Sequence, residues 1–393
     1  MAAGTVETEV LEWLDGQQEA MVALLEELVN TDSGSFDVAG VDATGTIIHR
    51  HLEAAGIPCE VIEQPGSSFS VRARLESRDA GSNLPHVLLL GHRDTVFPKG
   101  EAARRPFRVE NGRAYGPGVA DMKAGLVLST FVIEGFARFG GARHPLVALY
   151  TTDEEIASPT SRAVIEDTAR GARAVFNAEP GRVSGNIVSG RKGAMFLTIE
   201  VTGHAAHSGA AHEKGVSAIE ELARKVVALH ALTDYETGTT VNVGLISGGQ
   251  SVNTVAPLAT ARVDVRFKTL DAMAEAEAAI ERILAETHLA GTTTRITESA
   301  RFLPFEPSGA SAALAEHYIA CARDLGMSIG AEYTGGSADS GFTAAVGAPT
   351  VCGTGPLGEK AHSPDETCHV DSLVPRAKAT ALAIARLDQS NSR

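Results

Sequence analysis

Residues 86–96 read HVLLLGHRDTV, from His86 to Val96, and their reading decides the fold. The run Val87 to Leu90, flanked by Pro85 and Gly91, suits a strand covered on both faces. Chemistry in α/β folds gathers at the carboxyl ends of such strands, where His92 stands. Residues two apart on an extended chain point to the same side, so Asp94 is placed to orient the His92 imidazole. An apolar run followed by HxD equally describes a surface turn, so the metal-ligand reading depends on partners elsewhere.

The 393 residues exceed what one core usually serves, and a 44% hydrophobic content can bury two sizeable interiors. A net charge of -15, from 49 acidic against 34 basic residues, argues against nucleic acid and an anionic membrane surface as partners. The start MAAGTVETEVLEW has no basic leader or apolar core, and no run of about 18 apolar residues follows. A soluble cytoplasmic protein is expected. Cys59, Cys321, Cys352 and Cys368 are scattered without CxxC spacing, so any metal must use His and carboxylates.

Along the chain, spacing predicts one packing helix over 10–28, a second over 44–55, and strands over 59–62 and 69–75. Residues 97–115 read as a polar connection whose Arg104, Arg105 and Arg108 form a solvated face or approach an anionic substrate. In GPGVADMKAG, residues 116–125, Asp121 stands before a helical run over 124–139. It is either an N-cap or a group delivered to a site. The strand 146–150 ends in Asp153, Glu154 and Glu155, and the strand 174–177 ends in Glu179. Clustered carboxylates repel, so at a strand end they are hydrated or held by a cation. His92, the 153–155 acids and Glu179 share the end of one sheet, with Asp121 between the first two, and together they favour a metal centre.

From about residue 189 the pattern becomes strand 195–202, helix 216–232, strands 239–246 and 257–267, helix 271–286 and strand 292–298. This βαββαβ order is a ferredoxin-like split unit. The predicted organisation is α/β: a catalytic domain over 1–188 and 303–393, interrupted by an inserted α+β domain over 189–302.

The motifs GHRDTV, GPGVADMKAG, TDEE, AEP and AHSPDE, in that order, resemble the co-catalytic zinc amidohydrolases: glutamate carboxypeptidases, dipeptidases, aminoacylases and related deacylases. The loop and the phrase DEE are most similar to the glutamate carboxypeptidase branch. The resemblance implies a zinc-exopeptidase-type catalytic domain, with helices on both faces of a mixed sheet, and an inserted lid that makes a homodimer. It implies two Zn2+ per subunit, with Co2+ or Mn2+ as substitutes. His92 and Glu179 would hold one ion, Glu155 and His362 the other, and Asp121 both. Glu154 would be the general base for a metal-activated water, with Asp94 orienting His92. The family loop reads DxKGG where Ala124 precedes Gly125 here, a methyl expected to be tolerated. Its peptide bond after the aspartate is cis.

In the insertion, His207 matches a family histidine that stabilises the oxyanion in the neighbouring subunit; otherwise it is a turn residue. Gly248, Gly249 and Asn253 resemble a substrate-contacting turn. Arg301, with Gly335 and Gly336, resembles the elements that hold a free carboxylate, and Arg266 is a weaker competitor. The implied reaction is hydrolysis of an amide beside a free α-carboxylate in a small acyl amino acid or short peptide. The alternative is hydrolysis of an amidine, carbamoyl or aryl-amine C–N bond on the same centre.

Overall fold

The computed structural model describes residues 5–79 and 81–388. Two compact units emerge. One holds the described residues up to Gly190, together with Pro307–Tyr333 and those from Phe342 on; the other holds Arg191–Glu306 and Thr334–Gly341.

The first unit is built on an eight-stranded mixed sheet in the order Cys59–Ile62, Ser70–Leu75, Leu146–Thr151, Val87–His92, Ala174–Asn177, Thr350–Cys352, Ile187–Arg191, Ala331–Thr334. The four strands from Leu146–Thr151 to Thr350–Cys352 run parallel. Every residue of Val87–His92 is buried. Val87 and Leu89 join a core with helix Ala124–Arg138 and helix Leu373–Ala385, and Leu88 and Leu90 are fully buried on the opposite face. Burial on both faces explains the unbroken apolar run. The strand includes His92 as its last residue, two beyond the expected end.

The predicted first helix is two helices, Val6–Asp15 and Gln18–Val29, parted at Gly16, which caps the first through its N–H. A helix covers Val38–Ala54. The polar connection contains a short helix, Glu101–Arg104, and a hairpin, Arg108–Glu110 with Arg113–Tyr115. Three of its arginines have partners within it: Arg104 and Arg105 pair with Glu101, and Arg108 lies over the Tyr115 ring, while Arg105 also donates to the Pro364 carbonyl at 2.7 Å.

The second unit follows the expected βαββαβ order. Strands Gly193–Thr202, Thr240–Gly248, Leu258–Phe267 and Thr293–Phe302 form an antiparallel sheet, and helices Ala218–His230 and Leu270–Ala285 cover one face. The unit departs from the expected boundaries because Thr334–Gly341 packs with it. Lys192 N–H donates to the Thr334 carbonyl at 3.1 Å, and Ser337 Oγ donates to the Lys192 carbonyl at 2.9 Å.

Candidate metal centre

Three neighbouring parallel strands deliver side chains to one edge. His92 closes the first, Asp153 to Glu155 follow the second, and Glu179 follows the third. The fourth contribution, Asp121, lies in the turn before helix Ala124–Arg138 and makes no cap there. The Asp121–Met122 peptide bond is cis. Ala124 is buried without difficulty, whereas a methyl at Gly125 would meet the Ala178 carbonyl oxygen at 1.9 Å. The glycine that this loop needs is the second of the pair, because the helix there approaches the backbone before Glu179.

His362 arrives by a different route. Gly358–Glu359 pairs with Thr367–His369, which pairs with Arg113–Tyr115, so the 360–366 tip lies beside the 116–121 loop. His362 has φ 61, a left-handed conformation costly for a non-glycine residue and found where a site demands it. Its Nε2 is 3.3 Å from Asp121 Oδ2 and 3.1 Å from Glu155 Oε2. The His92 Nε2 is 3.3 Å from Asp121 Oδ1, 3.6 Å from Glu179 Oε1 and 3.8 Å from Glu154 Oε2.

Two groups of ligand atoms result, His92–Asp121–Glu179 and Asp121–Glu155–His362, each with its atoms within 4.8 Å of one another. Asp121 belongs to both. His92 Nε2 and Glu155 Oε1 are buried and make no hydrogen bond. Polar atoms buried without partners are costly, and imidazole nitrogen with carboxylate oxygen is the donor set that zinc and similar divalent ions accept. These residues fit a pair of such ions.

The electrostatics agree. Burial, and then repulsion from Asp121, push Glu155 up to about 7. Hydrogen bonds to Asp121 and Glu155 hold His362 up at about 10. Burial opposes ionisation of Asp121, but the His362 and His92 imidazoles beside it outweigh this and keep its carboxyl below the usual range. A cluster so crowded with acid calls for positive charge.

Asp94 has a wider task than orienting an imidazole. His92 Nδ1 lies 3.0 Å from the Asp94 carbonyl and 3.3 Å from its Oδ1. The same carboxylate accepts the N–H groups of Glu154 and Glu155 at 3.0 and 3.1 Å, and the Ser35 hydroxyl at 2.7 Å. It therefore frames both the histidine and the acidic pair. Asp153 is used locally, accepting from the N–H and hydroxyl of Thr160 and the N–H of Ser161.

Two residues escaped the sequence reading. Arg93, just past the strand, is fully buried and donates to the carbonyls of Val41, Phe69 and Thr151. Glu366, also fully buried, accepts the N–H groups of Gly118, Ala120 and Asp121 at 3.0, 2.9 and 2.9 Å. Its position at the end of AHSPDE was its only signal.

In the second unit, His207 is exposed and its Nδ1 accepts the N–H groups of Gly209 and Ala210, both at 3.1 Å. Ser208 N–H donates to the Asn253 carbonyl at 2.9 Å, which sets His207 beside Asn253. Gly248 ends its strand and Gly249 follows at φ 78. Arg301 is not gathered with Gly335 and Gly336. It pairs across the sheet with Met195, a core residue under the helices, and its guanidinium binds Glu277 of helix Leu270–Ala285 at 2.9 Å. Arg266 pairs with Ala194, so it occupies the other face, over the Phe196 ring. Its Nη1 donates to Ser337 Oγ at 3.1 Å, within the turn that carries both glycines.

The relatives point the same way. The chain is 29% identical to carboxypeptidase G2 of Pseudomonas sp. (strain RS-16), covering 92% of this chain and 87% of that one. It is 30% identical to succinyl-diaminopimelate desuccinylase of Dechloromonas aromatica (strain RCB), covering 83% and 88%. Among solved structures, a tripeptidase of Staphylococcus aureus subsp. aureus mu50 shares the fold at a TM-score of 0.76 and 22% identity, covering 94% of this chain and 98% of that one. The family model that matches runs over residues 88–386, from the strand that ends in His92 into the last helix. With that span and both ligand groups inside it, the chain belongs to peptidase family M20/M25/M40 and is a metal-dependent hydrolase.

Proposed function

We propose that the protein hydrolyses an amide bond beside a free α-carboxylate, in an acyl amino acid or short peptide. The observation that carries this reading is the placement of Glu154, whose carboxylate stands beside His92 while its backbone hangs from Asp94. Two Zn2+ ions, replaceable by Co2+ or Mn2+, would be held by His92 and Glu179 and by Glu155 and His362, with Asp121 bridging. When bound, such a pair acidifies a shared water and polarises the amide carbonyl.

Glu154 takes the proton of that water and passes it to the departing amine. Asp94 keeps the His92 ring and the Glu154 backbone in fixed relation. His207 accepts at Nδ1, which puts its ring N–H on Nε2, the tautomer required of an oxyanion donor. Asn253 beside it supplies an amide for substrate. For the free carboxylate the better candidate is Arg266, whose Nε and Nη2 are braced by Asp264 while its Nη1 reaches Ser337 in the Gly335–Gly336 turn, whereas Arg301 binds Glu277 on the opposite, helix-covered face.

A homodimer through the inserted unit is part of the proposal. Ile219 and Val227 on helix Ala218–His230, and Leu245 and Ile246 on the edge strand Thr240–Gly248, are exposed apolar side chains. Cytoplasmic residence is part of the same reading, supported by four cysteines that form no disulfide. No helix among the described residues is long and apolar enough to cross a membrane.

The test is a screen of the metal-loaded protein against N-acyl amino acids and dipeptides, scored by amine release, beside the same compounds with the α-carboxylate converted to an amide. Release that depends on the carboxylate is expected. Equal release from the capped compounds, or release only from amidines, carbamoyl compounds or aryl amides, would overturn the reading.

A further inference from the structure

Beside the candidate ligands the first unit holds a cavity of about 570 Å3, lined by Gly34 to Asp37, Thr95 to Lys99, Glu155 and Ile156. The mechanism proposed above makes no use of it. Five of its eleven lining residues are large and apolar: Phe36, Val96, Phe97, Pro98 and Ile156. Phe36 is 87% exposed and Val96 is 43% exposed. Large apolar side chains set together in water mark a surface with a partner to receive.

Phe36 does not hang from a loose loop. Ser35 N–H donates to the Thr95 carbonyl at 3.2 Å, and Asp37 N–H to the Gly34 carbonyl at 2.7 Å. A methyl at Gly34 would meet the Phe97 carbonyl oxygen at 2.3 Å, so the two cavity walls touch backbone to backbone. Ser35 Oγ donates to Asp94 Oδ2, on the same carboxylate that carries the backbone of Glu154 and Glu155. The exposed ring is thus framed on the reacting centre.

We propose that this cavity is the subsite for the acyl half of the substrate and selects a large apolar acyl group, with Phe36 as its principal contact. The proposal rests on the amide-hydrolase reading above and adds the substrate class. Charge assigns the end of the substrate. Among the described residues lining the cavity, Lys99 is the only cation, and its Nζ is already 3.2 Å from Asp37 Oδ2. A free carboxylate gains nothing there, whereas an uncharged acyl chain does. Size assigns the class, because the cavity lies within the roughly 300–1,000 Å3 of pockets that enclose whole small ligands, far more than an acetyl group fills.

The test compares the N-acetyl and N-(4-phenylbutanoyl) derivatives of L-glutamate, L-leucine and L-lysine on the zinc-loaded protein and its Phe36→Ala and Val96→Trp variants. Both positions are exposed, so folding is not at stake. The wild type is expected to favour the phenylbutanoyl compounds by at least tenfold in kcat/KM, and each variant to cut that preference at least fivefold. A wild-type preference for acetyl, a smaller change in the ratio, or a change that follows the amino acid in place of the acyl group would overturn the proposal. Absence of amine release from every compound would defeat the amide-hydrolase reading instead. The cavity is then judged by calorimetric titration with N-methyl-4-phenylbutanamide. At least fivefold weaker binding to Phe36→Ala supports the subsite, and equal binding or none to the wild type overturns it.

Discussion

Glu366 accepts the backbone N–H of Asp121 at 2.9 Å, so the loop that carries His362 also holds the loop that carries the proposed bridging aspartate. Two further N–H groups, from Gly118 and Ala120, end on the same buried carboxylate. Burial pushes this carboxyl up to about 7 against the pull of those donors. Removing it strands three backbone donors, two of them buried, and frees the loop. Glu366→Ala is expected to weaken zinc binding about 10–100-fold, as loss of groups supporting metal ligands does. Glu366→Gln, which keeps an acceptor oxygen, should recover part of that. Competition with a chelating dye measures both, and an unchanged zinc affinity in the alanine variant would show that the loop holds itself.

Glu154 and Glu155 are adjacent in sequence but face different tasks, since only Glu155 lies within 3.1 Å of His362. Glu154→Gln should retain its zinc and lose about 10²–10⁴-fold in kcat, the range for a general base. Glu155→Gln should lose metal first. Zinc content after dialysis, read beside kcat, separates the two; equal metal loss in both would remove Glu154 from the base role.

The two arginines of the inserted unit make opposite predictions. Arg266→Ala should raise KM for acyl amino acids at least tenfold, because a guanidinium beside the glycine turn is withdrawn. Arg301→Ala breaks a half-exposed pair with Glu277 and should cost stability of about 0–1 kcal/mol with little change in KM. Steady-state kinetics on both variants decide it. A KM effect confined to Arg301→Ala would return the carboxylate to that residue.

The acid response of the inserted unit should depend on Glu221, whose side chain is fully buried. Burial raises its carboxyl, but the Leu289 N–H and Lys225 outweigh this and hold it below the ordinary value. A carboxylate depressed in the folded state contributes stability above about pH 4.3 and loses it as pH falls through the folded value. Glu221→Gln should therefore destabilise by about 3 kcal/mol at pH 7, since it leaves Lys225 buried without its counter-charge, and by less at pH 3.5. Urea unfolding at the two pH values measures the difference, and an equal loss at both would contradict the assignment.

Local pattern was sufficient wherever one segment alone settles the outcome. The apolar run Val87 to Leu90 announces a strand buried on both faces, and the alternation in LATARVDVRF places Arg262, Asp264 and Arg266 opposite Val263, Val265 and Phe267. The order βαββαβ follows from such periods, as does the sheet edge where His92, Glu154, Glu155 and Glu179 assemble. Gly16 was not legible as a break because one glycine is tolerated within many helical patterns.

What required the tertiary structure is every choice between chemically equal residues. Nothing in the spacing of Arg301 says that it pairs with Met195 under the helices, because a register shift between Ile296 and Glu298 resets which side chains share a face. Glu366 reads as one more hydrated acid until the 360–366 tip folds against residues 116–121. The sequence by itself determined most of the elements, the family and the inventory of candidate ligands, since these depend on residue type and near-neighbour period. Only long-range pairing decided which carboxylate belongs to both ligand groups, which one supports the loop and which arginine lies beside the glycine turn, because those positions depend on which distant segments meet.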